Sequence, residues 1–140
     1  MILSISEILI KADKLAASDT RAAVDYLRAN NSVLLQTMFR GAYDPAVVWT
    51  LPEGKPPYKP LESDYDQQGM LYQECRRLYL FIEGGPIKDK TKRERLFIEL
   101  LEAIDPADAV LLCAIKDKQL PDTMKHLTSD LVLQAFPGLW

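Results

Sequence analysis

Residues 70–104 leave this chain little choice of architecture. Two segments there, 70–83 and 91–104, carry apolar residues at helical spacing. Leu71, Cys75, Leu78 and Ile82 form the first stripe, widened by Tyr79 and Phe81. Leu96, Phe97, Leu100, Leu101 and Ile104 form the second. Between them stands Gly84-Gly85-Pro86. The glycines suit a left-handed helix cap, and the proline forbids simple continuation. The pattern predicts a helical hairpin with Leu78 and Leu100 in its core.

The flanking sequence is helical in the same sense. Ser4-Ile5-Ser6-Glu7 is a capping box, which predicts a helix over 5–17 with Ile5, Ile8, Leu9, Ala12, Leu15 and Ala16 inward. Ser18 or Asp19 caps a second helix to about Ala29, with Ala22, Ala23, Tyr26 and Leu27 inward. Ser32 caps a third over 33–40, carrying Leu34, Leu35, Met38 and Phe39, with Gly41 as its stop. After the hairpin, Asp105-Pro106 starts a helix to about Lys116, with Val110, Leu111, Ala114 and Ile115 as its core face. Residues 120–127 read as irregular. Thr128 caps a last helix over 129–135, and the apolar end Phe136–Trp140 reads as docked.

The middle breaks this rhythm. Residues 46–51 read as extended, or else as one turn of helix. Pro52, Pro56, Pro57 and Pro60 then remove the donors and torsions that regular structure needs, which predicts a polyproline or irregular strap. Trp49, Leu51, Tyr58 and Leu61 are the side chains that would pin it across the helices. Residues 62–68 read as an acidic, mobile loop. The resulting expectation is one all-α domain over residues 1–140, a compact bundle of about six to seven helices around the hairpin. Residues 1–42 supply N-terminal helices, 43–69 the strap and acidic loop, and 70–140 C-terminal helices.

Motifs for chemistry are weak, and the reading is a non-enzyme without metal or cofactor. The single histidine, His126, has no nucleophile and acid beside it, and two cysteines with one histidine cannot close a typical zinc site. Gly84-Gly85 lacks the Gly-Lys-Ser/Thr continuation of a phosphate loop. Cys75 and Cys113 sit in apolar helical patterns, as buried thiols do. The carboxylates Glu62, Asp64, Asp66, Glu99, Glu102, Asp105 and Asp108 leave an enzyme with an unrecognised carboxylate site as the weakest alternative. No apolar run approaches the roughly 20 residues of a membrane span, and no signal peptide is read at the N-terminus.

Two features point to binding. Trp49, Tyr58 and Trp140 are the candidate partner-binding residues, since the strap and tail concentrate aromatic surface. The alternative is nucleic acid, held by Arg76, Arg77, Lys88, Lys90, Lys92, Arg93 and Arg95. Between Gln73 and Arg95 seven basic residues face four acidic ones, a local excess of three positive charges in a chain of net charge −3. A solvated helix start is the simpler account of those charges. Tyr72 and Tyr79 read as core rather than as base-stacking platforms. Pro57-Tyr58-Lys59-Pro60 matches a loose docking pattern, but a structural strap is the simpler account.

Several stretches together are similar to a known family: Leu51-Pro52-Glu53-Gly54, Pro56-Pro57-Tyr58-Lys59-Pro60, Leu78-Tyr79-Leu80-Phe81-Ile82-Glu83-Gly84-Gly85, Lys116-Asp117-Lys118 and Ala135-Phe136-Pro137-Gly138-Leu139. They resemble small uncharacterised proteins of large contractile-tailed phages, especially those of marine cyanobacteria. The resemblance spans most of the chain and departs at residues 120–127, where relatives carry a shorter segment. It implies a phage protein in the cytoplasm of an infected bacterium and brings no catalytic residue with it. The functional expectation is a phage accessory protein that binds an unidentified host or phage protein. Nucleic acid is the second partner class, and no membrane is involved.

Overall fold

The computed structural model describes residues 4–59, 70–120 and 124–140. Pro60 and Leu61 of the strap, the acidic stretch 62–68 and residues 121–123 of the last connection lie outside the described residues. Among those described, the protein is an all-α bundle. Its helices are α1 (Ile5–Ser18), α2 (Thr20–Ala29), α3 (Val33–Tyr43), α4 (Met70–Glu74), a tight 3-10 helix (Cys75–Phe81), α5 (Lys90–Ala103), α6 (Pro106–Lys116) and α7 (Ser129–Ala135). No strand accompanies them there, only an isolated antiparallel bridge between Trp49 and Ile82.

Local chemistry sets the helix starts. Ser4 Oγ accepts the Glu7 amide at 3.3 Å while Glu7 Oε2 accepts the Ser4 amide at 3.1 Å. Asp19, Ser32, Asp89, Asp105 and Thr128 cap α2, α3, α5, α6 and α7 with side-chain oxygens. Each such cap stabilises its helix by about 1 kcal/mol.

Packing centres on α6, which touches α1, α3 and α5. Ala109, Leu111, Leu112, Cys113 and Ile115 are buried. Val110, expected on the core face, is 60% exposed. The three neighbours enclose the helix except along the line Ala107, Val110 and Ala114, at positions i, i+3 and i+7.

The hairpin folds back as its glycines suggest. Gly84 sits at φ 91°, and Phe81 packs edge-on against Phe97 with centroids 5.2 Å apart. Leu78 and Leu100 are both core residues. Its first arm, however, is not one α-helix. After Glu74 it tightens to three residues per turn, which brings Cys75, Leu78 and Phe81 onto one face. Phe81 then enters the core, and Tyr79 turns outward to 57% exposure instead of widening the apolar stripe.

Candidate functional site

α3 turns Leu34, Leu35, Met38, Phe39 and Ala42 into the core. Val33, Thr37 and Arg40 are left along its outer edge. Gly41 does not stop the helix, which continues to Tyr43. The glycine is instead a seat for Trp49. A Cβ at Gly41 would lie 2.7 Å from Trp49 Cζ2, and the indole Nε1 donates to the Gly41 carbonyl at 3.0 Å.

From that anchor, residues 47–50 run extended to the end of the tight helix. The Thr50 amide donates to the Phe81 carbonyl at 2.8 Å, and the Glu83 amide donates to the Val48 carbonyl at 2.7 Å. The strap's first residues thereby become the floor between α3 and the tight helix. Above them opens a groove of about 320 Å³, walled by Val33, Thr37 and Arg40 on one side and Cys75, Arg76, Leu78, Tyr79 and Ile82 on the other.

Two properties set this groove apart. Val33 and Tyr79 at its rim are large apolar side chains exposed by 74% and 57%. Its lining contains two arginines and no carboxylate. Neither Arg40 nor Arg76 has a carboxylate partner among the described residues. Arg40 is steadied by its Nε, which donates to the Leu139 carbonyl at 3.2 Å. Cys75 contributes its thiol to the wall. Burial raises its pKa, partly offset by Arg76, and its Sγ donates to the Tyr72 carbonyl at 3.2 Å.

The candidate aromatics are placed mainly by packing. Trp49 is half-buried on Gly41, and Tyr58 is buried with Lys55 Nζ 5.3 Å from its ring centroid. Trp140, half-buried, stacks on Tyr43 at 6.1 Å. The Tyr43 hydroxyl donates to the Leu127 carbonyl, and burial raises its pKa strongly, so it stays a neutral donor. Of the three, only Trp49 lines the groove.

The strap is held by the Lys116-Asp117-Lys118 run. Lys116, 5% exposed, donates from Nζ to the carbonyls of Pro52 (2.8 Å) and Gly54 (3.0 Å) and to the Asp117 carboxylate. Asp117 in turn accepts the Gly54 amide at 3.1 Å, and Lys118 Nζ donates to the Asp44 carbonyl at 3.2 Å. All three Lys116 hydrogens are committed, which makes this lysine a clasp rather than a reactive amine.

The basic cluster is divided by the fold. Arg76 faces the α3 groove, while Arg77 faces a second recess toward α5 and pairs with Glu74 at 3.1 Å. Arg93 is half-buried and donates to the Ile87 carbonyl at 2.9 Å. Lys88, Lys90, Lys92 and Arg95 are exposed around the start of α5. Arg40, absent from the cluster in sequence, joins Arg76 in space.

Elsewhere, a recess of about 490 Å³ between α1 and α6 is rimmed by Ile10 and Val110 and carries both charge signs, Asp13 and Lys14. Asp108 is fully buried; its Oδ1 accepts the Ser6 amide at 3.0 Å and its Oδ2 is unpartnered. His126 is exposed, and its backbone amide donates to Asp13. Among the described residues no group of His, Cys, Asp or Glu is arranged to hold a metal ion. None of the helices there is long and apolar enough to cross a membrane.

The sequence pattern of a family of unknown function, DUF6433, matches residues 8–122. That span contains both walls and the floor of the groove. No curated protein and no solved structure matches the chain.

Proposed function

We propose that this chain, which belongs to the DUF6433 family of unknown function, is a phage accessory protein that binds a protein partner in the cytoplasm of an infected bacterium. The observation that supports binding is the groove between α3 and the tight helix. Apolar side chains are left exposed at its rim over an ordered floor, whereas an unbound surface normally breaks such patches with charge. The phage setting rests on the resemblance of the strap, hairpin and C-terminal motifs. Nucleic acid remains the second reading through Lys88, Lys90, Lys92 and Arg95, but Arg77 and Arg93 are engaged elsewhere and Arg76 faces away from Arg77.

Affinity capture from infected-cell extract tests the proposal, with and without nuclease. A protein retained by the wild type after nuclease treatment and lost with Tyr79→Glu is the expected result. Capture that is equal in both forms, or that vanishes with nuclease, would refute it.

A further inference from the structure

We infer that the groove takes an acidic amphipathic segment of the partner, with its apolar side on Val33, Trp49 and Tyr79 and its carboxylates on Arg40 and Arg76. This rests on the reading of the groove as a protein-binding site and adds the chemistry of the occupant. The argument is charge complementarity. The chain carries net charge −3, yet this lining holds two guanidinium groups and no carboxylate. An arginine fork matches a carboxylate through two parallel hydrogen bonds. Arg40 is already oriented through its Nε bond to Leu139, and its terminal nitrogens have no carboxylate partner among the described residues.

The dimensions agree. Val33 to Arg40 spans about 10 Å of helix at 1.5 Å per residue, the length of two turns of a ligand helix. Apolar side chains on the ligand's inner face would cover Val33 and Tyr79, and acidic residues on its flanks would meet the arginines. A phosphate backbone is a poorer fit. Two cations neutralise too few phosphates to hold nucleic acid at physiological salt, and the apolar floor would go unused.

The test uses two labelled synthetic peptides with the same leucine face, one flanked by glutamates and one by lysines. Fluorescence anisotropy is read against the full-length protein at about 0.15 M salt. The glutamate peptide should bind at least about tenfold tighter than the lysine peptide. Arg76→Glu, at an exposed position, should remove that preference, and Arg40→Gln should reduce it; circular dichroism confirms that both variants fold. Equal binding of the two peptides, or a preference that survives Arg76→Glu, would overturn the inference. So would an oligonucleotide that binds at the same salt and is lost with Arg76→Glu, or a dimer of the chain that Tyr79→Glu dissolves. If partner capture depends on Tyr79 while the peptides bind alike, the acidic occupant fails and the protein-binding function stands. If neither peptide binds and capture fails as well, both fall.

Discussion

Gly41→Ala is the most informative single change, because helix propensity and packing predict opposite signs. A glycine inside a helix normally costs about 1 kcal/mol relative to alanine, so the substitution would stabilise an ordinary site. Here the new Cβ would meet Trp49 Cζ2 at 2.7 Å and Ile115 Cγ2 at 3.2 Å. Ile115 is fully buried in α6 and cannot yield freely, so the indole must move. Overpacking of this kind costs about 1–3 kcal/mol. Loss of the Nε1 bond to the Gly41 carbonyl adds about 1 kcal/mol. The balance is a net loss of about 1–3 kcal/mol. Urea melts should show the lower midpoint, and in a Trp140→Phe background the Trp49 emission should move to longer wavelength as the ring leaves its seat. The groove floor would open with it, so the glutamate peptide should bind more weakly. A variant more stable than wild type, with unchanged emission, would refute the packing of Trp49 on α3.

Other consequences are as direct. Lys116→Met leaves the Asp117 carboxylate, only 8% exposed at its side chain, without its cation; it should cost about 3–5 kcal/mol and free the strap amides for exchange. Adding Asp117→Asn should recover more than about 1 kcal/mol of that loss. Leu100→Ala, at a position only 7% exposed, should cost about 2–5 kcal/mol by denaturant melt. Burial raises the Asp108 pKa, with the Ser6 hydrogen bonds opposing it. A raised folded-state value means that its contribution is fully present below the ordinary aspartate value of 3.8 and is lost as pH rises through the folded value. The stability difference between wild type and Asp108→Asn should therefore fall across that window, by no more than about 1.4 kcal/mol per pH unit, and be flat above it.

The helix starts were legible because capping is local: Ser4 with Glu7, Asp105 with Pro106 and Thr128 each act within one turn. The core positions Leu78 and Leu100 followed from periodicity alone. What stayed hidden depends on partners distant in sequence. Cys75, Leu78 and Phe81 fit a period of three as well as Leu71, Cys75, Leu78 and Ile82 fit the α-helical spacing, and only the packing of Phe81 on Phe97 decides between them. Gly41 reads locally as a helix stop, and nothing nearby announces that Trp49 needs the space. Val110 carries the side chain of a core residue, yet it stands exposed at the rim of the recess between α1 and α6. The groove was missed for the same reason: Val33 and Arg40 are unremarkable on α3 until the tight helix brings Arg76 and Tyr79 opposite them.

Photo-crosslinking in infected cells tests the central claim most directly. A photoreactive residue replaces Tyr79 in the groove in one strain and Lys92 on the basic face of α5 in another. The account predicts a discrete polypeptide adduct from position 79, unaffected by nuclease, and no comparable adduct from position 92. A nuclease-sensitive adduct from position 92, with none from position 79, would contradict it.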